Sequence, residues 1–222
     1  MQAMNNQKTE KLNRFTQFPN LVELLLSKKL VFSDPSHWED QNDIASIKFY
    51  ETQKHCKLRL LCFCQAEETL HHWKTYAAGP YGCCIEFDKL TLLQDFQKFS
   101  NVLTQEVTYK RIKDLSTQGN TIKIDQYPFL KRKPYECDSE FRIIWRKTDA
   151  VDNEPTEVDL NLNCINRITL NSQIPTIFVH LLKKLIKDSN LEINVNISTI
   201  YKNTTWINKL KNLNHPPIDT CT

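Results

Sequence analysis

The chain has 222 residues, of which 40% are hydrophobic and 10% aromatic, with only three glycines. This composition excludes a disordered or collagen-like protein and predicts a packed globular chain, long enough for one large domain. The formal net charge of +3 is too small to indicate a polyanionic partner by itself.

The eight cysteines do not follow a metal-binding pattern, because no Cys-x-x-Cys pair occurs. No zinc knuckle can therefore be built from local spacing. No signal peptide opens the sequence, and no apolar run approaches the ~18–20 residues that cross a membrane. We expect a cytoplasmic protein with reduced, buried thiols and no membrane association.

The first predicted elements are a helix, a strand and a second helix. The segment Pro19–Lys29 begins with proline, carries leucines at helical spacing and ends in two lysines, which is typical of a helix. A short strand is predicted at Leu30–Ser33. The capping-box pattern Ser36-x-x-Glu39 then predicts a helix that ends near residue 55.

Strands and helices continue to alternate in the middle of the chain. The apolar run Lys57–Gln65 predicts a central strand, and Asp88 stands where a helix N-cap is expected. The other predicted elements are a helix at Glu67–Ala78, a strand at Cys83–Phe87, a helix to Ser100 and a strand at Asn101–Tyr109. Residues 110–130 have weak periodicity and are predicted to form a loop, which could cover a site.

The C-terminal part is predicted to contain a strand at Val158–Leu170, a helix at Ile174–Lys187 and a strand at Leu191–Ile197. We therefore predict an α+β fold with one domain at residues 12–210. Residues 1–11 are predicted to be a flexible N-terminus and residues 211–222 a loose tail.

The segment Pro134–Lys147 carries the main candidate site. Read as a strand, it places Phe141, Ile143 and Trp145 on one face and Asp138, Glu140 and Arg142 on the other. Acidic residues are poor strand formers, so two carboxylates and a guanidinium in a row indicate a possible site. A strand with one solvated face explains the same pattern.

Several motifs, taken in chain order, resemble a bacterial protein family of formerly unknown function. The matching residues are Arg14, Phe32-Ser33-Asp34-Pro35, Asn42-Asp43, Cys62-Phe63-Cys64, Trp73 with Tyr76, Gly82–Phe87, Val107 with Tyr109, and Asp138-x-Glu140-Phe141-Arg142. The chain departs from the family pattern at three places. Most of the Asn-Asp-Pro-Phe-Asp turn is missing, Cys64 replaces a serine, and Asp138 replaces a glutamate.

This layout looks like the ADP-ribosyltransferase plan, with an early arginine, a middle strand–helix unit and a late acid-x-Glu pair. The resemblance implies a split mixed β-sheet with surrounding helices, and NAD as co-substrate without a metal. It implies that Glu140 faces the positive charge that develops on the ribose and that Asp138 orients or deprotonates the acceptor.

The resemblance also implies the residues that contact NAD. Arg14 would hold the diphosphate or the adjacent ribose. Ser33 and Cys64 occupy the small-residue positions of the pocket, and Trp73 and Tyr76 would stack on nicotinamide. Both rings could instead belong to the core. Our expectation is divided, with Trp73 in the core and Tyr76 facing the ligand.

The acceptor and the biological setting follow less directly. The segment between Tyr109 and Lys147 contains ten lysines and arginines and five acidic residues, a net charge of +5. The resemblance to defence and toxin–antitoxin ADP-ribosyltransferases implies a nucleic acid acceptor, RNA rather than DNA, bound by Lys131, Arg132, Lys133 and Arg146. It also implies a neutralising antitoxin protein, which could act with a chaperone. The alternative for the basic cluster is an ordinary solvated loop.

Two other functions fit the sequence. A Mg²⁺-dependent nuclease could use Asp40 or Asp43 with Asp138 and Glu140 as ligands, and Lys131 or Lys133 beside the phosphate. The motif order fits the transferase plan better. A non-catalytic binding module on the same scaffold is the third possibility, favoured by the altered turn and by Cys64.

Overall fold

A seven-stranded mixed sheet is the centre of the computed structural model, which describes residues 10–115, 122–147 and 156–213. The strand order is β11-β10-β4-β1-β3-β8-β5, and β10–β11 is the parallel pair among antiparallel neighbours. The strands of this sheet are β1 (Lys11–Gln17), β3 (Lys57–Cys64), β4 (Gly82–Asp88), β5 (Val102–Glu106), β8 (Glu140–Lys147), β10 (Ile165–Leu170) and β11 (Asn194–Ile197).

Two small sheets and seven helices complete the described fold. The small sheets pair β2 (Lys29–Val31) with β9 (Glu157–Asp159) and β6 (Thr108–Lys110) with β7 (Leu130–Arg132). The helices are α1 (Phe18–Ser27), α2 (Gln41–Lys54), α3 (Leu70–Thr75), α4 (Lys89–Gln94), α5 (Ile112–Leu115), α6 (Thr176–Asp188) and α7 (Thr204–Lys211). The predicted α+β class with a mixed sheet and surrounding helices is confirmed. Among the described residues, no helix is long and apolar enough to cross a membrane.

The main sheet is split between β1 and β3. These two strands share one register pair, Asn13 with Cys64, whereas β1 pairs with β4 along its whole length. Beyond the Asn13–Cys64 pair, β1 and β3 are not joined by further ladder pairs in the part of the chain that is described. The split therefore leaves a gap in the middle of the sheet, between its two best-paired halves.

Two apolar clusters cover the faces of the β3–β8 half. Alternate residues of β3 point to opposite faces, as the period of a strand requires. Leu61 and Phe63 join the main cluster, which α1, α4 and α6 cover, whereas Leu58 and Leu60 pack with Ile47 of α2. Since both faces are covered, the continuous apolar run of β3 is that of a central strand.

Several predicted boundaries were wrong for a local reason. The capping box at Ser36 is not used, because Asp34 caps a short 3-10 helix at Pro35–His37 and Asp40 caps α2. The predicted strand at 158–170 is two strands, separated by a 3-10 turn that Asn161 caps. In each case an Asp or Asn side chain accepts a backbone N–H two residues ahead and turns the chain.

Other elements match the predictions to differing degrees. Asp88 caps α4 as predicted, because its Oδ1 accepts the Thr91 N–H at 2.8 Å, although α4 is shorter than expected. Helix α7 was not predicted. Lys11, which was predicted to lie in a flexible N-terminus, belongs to β1 and pairs with Asp88 of β4. Residues 1–9 and 214–222 lie outside the described residues.

The segment before β8 differs from the predicted strand. Residues Lys133–Asp138 form a 3-10 helix, and Ser139 has a left-handed backbone with φ of 43°. Strand β8 therefore begins at Glu140, and Asp138 is not part of it. Phe141 and Ile143 are buried as predicted, whereas Trp145 is only partly buried.

Candidate active site

A cavity of about 590 Å³ opens where β1 and β3 separate. This volume is in the usual range for small-molecule and cofactor pockets. Seven of the residues predicted from the sequence line it, and they come from segments far apart in the chain: Arg14, Ser33, Cys64, Tyr76, Lys131, Asp138 and Glu140. Trp38 and Tyr135 add aromatic rings to the wall.

Glu140 is held in place by hydrogen bonds that involve its backbone N–H and both of its carboxylate oxygens. Its backbone N–H donates to Tyr109 Oη at 2.8 Å, which holds the start of β8 in place. Its Oε1 accepts from Arg142 Nε at 2.6 Å, and its Oε2 accepts from Lys131 Nζ at 2.9 Å. Burial by itself would raise the pKa of Glu140, but the two cations prevail and hold it at about 2. The side chain is therefore a buried carboxylate anion on the cavity wall.

Arg142 supports this carboxylate from within the protein. Its side chain is fully buried, and its Nη1 and Nη2 donate to the two carboxylate oxygens of Asp43, at 3.0 and 2.5 Å. Nη1 also donates to the Pro128 carbonyl at 2.7 Å. Burial raises the pKa of Asp43, although Arg142 opposes this shift. Asp43 stands in the first turn of α2, so the remnant Asn42-Asp43 of the family turn anchors Arg142.

Asp138 lies at the other end of the same network. Its Oδ2 accepts from Tyr76 Oη at 2.8 Å and from Lys131 Nζ at 3.2 Å, and its Oδ1 lies 3.2 Å from His71 Nε2. One ammonium therefore joins Asp138 to Glu140. Burial raises the pKa of Tyr76 above its ordinary value, so the Tyr76 phenol stays protonated and donates to the Asp138 carboxylate.

Arg14 lines the cavity, and none of the described residues supplies an anion to its guanidinium. Its guanidinium has no hydrogen bond or ion pair in the described part of the chain, and its Cζ lies 5.9 Å from the centre of the Phe63 ring. Burial lowers the pKa of Arg14 because the charge is desolvated. A half-buried, unpaired guanidinium on a pocket wall is suited to a phosphate or carboxylate group of a ligand.

Cys64 and Ser33 line the cavity but already have partners. Ser33 Oγ donates to the Leu60 carbonyl at 2.9 Å. Cys64 Sγ lies 3.4 Å from Nε2 of the buried His72, whose Nδ1 accepts the Thr69 N–H at 3.3 Å. That contact places the imidazole proton on Nε2, so His72 donates to the sulfur instead of acting as its base. Burial raises the pKa of Cys64 to about 11, which disfavours a thiolate nucleophile.

The two predicted aromatic residues, Trp73 of α3 and Tyr76 at its C-cap, lie in different surroundings. Trp73 is 1% exposed, packs in a small cluster with Ala77 and Cys84, and donates from Nε1 to Glu68 at 2.8 Å. Its assignment to the NAD pocket is therefore wrong, because core packing leaves it no cavity surface. Tyr76, the C-cap of α3, is 41% exposed and lines the cavity.

The four residues of the predicted nucleic acid contact do not form one surface. Lys131 is nearly buried between Asp138 and Glu140, so it belongs to the acidic site instead of a solvent-facing cluster. Lys133 pairs with Glu136 at 2.5 Å. Arg146 lies six residues along β8 from Glu140, about 20 Å away at the rise of a strand. Arg132 is exposed and lines a small groove with Lys110, beside Lys131.

Of the predicted magnesium ligands, Asp40 caps α2, whereas Asp43, Asp138 and Glu140 are already paired with cations. Asp43 and Glu140 pair with Arg142, and Glu140 and Asp138 pair with Lys131. Mg²⁺ requires carboxylate oxygens that are not held by cations at bonding distance. This donor set therefore does not suit the magnesium-nuclease alternative.

Sequence reasoning missed Trp38, His71, His72 and Tyr135 at the site. Tyr109 was noted only within the Val-x-Tyr motif, which was a usable signal. The two histidines follow one another at the start of α3, and their opposite roles depend on which side of the helix each occupies.

Comparisons with known proteins give a distant structural match. One solved structure, Thermus sp. 2.9 DarT in complex with NAD+, has 11% identity and a TM-score of 0.43, covering 86% of this chain and 96% of that chain. A second, of the same protein in complex with ADP-ribosylated ssDNA, has 12% identity and a TM-score of 0.44, covering 86% and 95%. No protein-family model and no curated protein matches the sequence. At this identity and TM-score, the resemblance by itself supports no conclusion about this chain.

Proposed function

We propose that this protein is an NAD-dependent ADP-ribosyltransferase. The observation that carries the proposal is the pairing of two features in one cavity. Glu140 is a buried carboxylate that remains ionised, and Arg14 is a cation without a partner among the described residues. NAD carries a matching pair of groups, since its diphosphate is anionic and its nicotinamide ribose becomes cationic as the glycosidic bond breaks.

The proposed reaction assigns a task to each residue. The bond between ribose C1′ and the nicotinamide nitrogen breaks, and its electron pair leaves with neutral nicotinamide. Glu140, whose Oε1 and Oε2 are held by Arg142 and Lys131, stabilises the developing positive charge on the ribose. Loss of one such preorganised charge costs ~3–4 kcal/mol of transition-state stabilisation. Arg14 binds the diphosphate, and the Tyr76 ring lies against nicotinamide.

The acceptor then forms a bond to C1′ and loses a proton. Asp138 is the residue proposed to orient the acceptor and take that proton. Its position supports this role, because it lies on the cavity wall at the end of the Lys133–Asp138 3-10 helix and contacts Tyr76 and Lys131. Asp138→Asn should therefore reduce transfer more than it reduces NAD hydrolysis.

We propose a nucleic acid as the acceptor, with RNA tested first and single-stranded DNA beside it. Lys110 and Arg132 line a groove next to Lys131 and Asp43, so a phosphate backbone could pass the cavity at this edge. An acceptor of this class would make the enzyme toxic to its own cell. A neutralising antitoxin protein, which could act with a chaperone, therefore remains part of the proposal, as does a cytoplasmic location.

The test uses purified protein with NAD labelled in the adenylate, together with RNA, single-stranded DNA or cell protein as separate acceptors. Release of nicotinamide and transfer of label to one acceptor support the proposal. Glu136→Gln is the matched control for Glu140→Gln, because Glu136 is an exposed glutamate of the same segment. If wild-type protein neither hydrolyses NAD nor transfers label, the binding-module reading replaces the transferase.

A further inference from the structure

Three side chains of the kinds that bind zinc converge beside the cavity. His71 lies in the first turn of α3, and Cys137 and Asp138 end the 3-10 helix before β8. One ligand atom from each lies within 4.8 Å of the others. Imidazole nitrogen, thiolate sulfur and carboxylate oxygen are all common zinc ligands.

The two oxygens of Asp138 have separate environments, and the neighbour of Oδ1 is itself one of the three proposed ligands. Oδ2 accepts from Tyr76 and Lys131, whereas Oδ1 has His71 Nε2 as its neighbour at 3.2 Å. A metal ion bound to Oδ1 would leave both contacts of Oδ2 in place. Those contacts would also hold the carboxylate in one orientation, as partners of metal ligands commonly do.

His71 has a partner for its second nitrogen. Nδ1 lies 3.3 Å from Thr75 Oγ1, one turn further along α3. When Nδ1–H donates to that hydroxyl, the Nε2 lone pair faces Asp138 Oδ1, which is the tautomer that a cation bound between the two atoms requires. Zinc-bound histidines usually have a hydrogen-bond partner of this kind.

The spacing fits tetrahedral zinc after small movements. Zinc bond lengths of about 2.0–2.3 Å place neighbouring donor atoms roughly 3.3–3.6 Å apart. The 3.2 Å between Nε2 and Oδ1 already agrees. Cys137 is exposed and the His71 side chain is 44% exposed, so both can shift by the further ångström that the thiolate needs.

We propose that His71, Cys137 and Asp138 bind one Zn²⁺ ion, with water in the fourth position, and that the ion inhibits transfer by occupying Asp138. Binding releases the Cys137 thiol proton to solvent. The binding site stands on its own, whereas the inhibitory role rests on the proposed function.

The site is tested by titrating the metal-free protein with Co²⁺. A tetrahedral site with one thiolate should give a sulfur-to-cobalt charge-transfer band at one equivalent, which Zn²⁺ should abolish. Cys137→Ser should lose the band, and His71→Ala should weaken Zn²⁺ binding by about 100-fold or more. The controls Cys56→Ser and His180→Ala, at a distant cysteine and on α6, should bind as wild type does.

The two parts of the proposal have different failures. Absence of the band in wild-type protein, or its persistence in Cys137→Ser, overturns the site. If zinc binds as described but inhibits Cys137→Ser as strongly as wild type, the inhibitory role is overturned. A protein that binds cobalt through Cys137 but never consumes NAD confirms the site and contradicts the proposed function.

Discussion

Lys131 Nζ donates to Glu140 Oε2 at 2.9 Å, and both side chains are nearly buried. The same ammonium lies 3.2 Å from Asp138, so a lysine of β7 joins the two acids that frame the site. Without this cation, two carboxylates would share a desolvated space, which normally forces one of them to take up a proton. Lys131 therefore helps Arg142 to keep Glu140 in the charged state that the proposed chemistry needs.

Lys131→Met should destabilise the folded protein and shift the pH dependence of NAD hydrolysis. Removing one partner of a buried ion pair should cost on the order of 3 kcal/mol in the free energy of unfolding, which urea denaturation measures. The acid limb of the pH–rate profile for NAD hydrolysis should also move to higher pH, since the pKa of Glu140 rises without the lysine. Lys131→Arg keeps the charge and should restore most of both properties. Unchanged stability together with an unchanged acid limb in Lys131→Met would contradict this role.

Glu140→Gln should reduce NAD hydrolysis and transfer by about 100-fold or more, because the amide keeps the size of the side chain but not its charge. Nicotinamide release at saturating NAD measures the loss, and circular dichroism checks the fold. Glu136→Gln should retain wild-type turnover. A folded Glu140→Gln protein with normal turnover would remove Glu140 from the mechanism.

The pH dependence of stability should carry the signature of Glu140. Its pKa falls from the ordinary 4.5 to about 2 in the folded protein, so the unfolded chain binds the proton more readily. The carboxylate therefore contributes stability above about pH 4.5 and loses that contribution as the pH falls towards 2. Over this range, wild type should lose roughly 3 kcal/mol more than Glu140→Gln does. Parallel denaturation curves for the two proteins across these pH values would show that the pKa is not depressed.

Tyr76→Phe should separate the ring from the hydroxyl. The ring remains against the proposed nicotinamide position, but Asp138 Oδ2 loses the donor at 2.8 Å. We expect the rate of acceptor transfer to fall about tenfold, because a factor of ten corresponds to the free energy of about one hydrogen bond to a charged group. The NAD concentration required should change little. Trp73→Ala is the contrast, since this buried ring should cost ~3–5 kcal/mol of stability. If Tyr76→Phe raises the NAD requirement and spares transfer, the hydroxyl serves NAD instead of the acceptor.

Reversing Lys110 and Arg132 to Glu should weaken nucleic acid modification and its salt dependence. Log affinity falls as log salt rises, and each lost phosphate contact to a single strand makes this negative slope shallower by about 0.7. NAD hydrolysis should persist, because neither residue lines the main cavity. Lys209→Glu with Lys211→Glu on α7 gives the control with the same change in net charge. If both double variants have the wild-type slope, the groove beside Lys131 is not the acceptor path.

Local pattern was enough for much of the fold. The apolar run of β3, the alternation in β8 after Glu140, the helix α6 and the N-cap Asp88 all depend on neighbours within a few residues, which the sequence displays directly. Boundaries failed where Asp and Asn side chains competed with the expected caps, as at Asp40.

The order of the motifs in the sequence predicted that Arg14, Tyr76, Asp138 and Glu140 would meet, and all four line one cavity, although Asp138 lies on a 3-10 turn and not on the predicted strand. Only the tertiary structure decided their electrostatics. Lys131 was read as a surface cation, yet the turn through Ser139, with φ of 43°, brings Asp138 to the same ammonium as Glu140. Such a backbone and such a desolvated ion pair cost free energy locally and persist only because distant partners, Tyr76 and Arg142 with Asp43, complete the network. Those partners are up to 99 residues apart, a separation that no local pattern encodes.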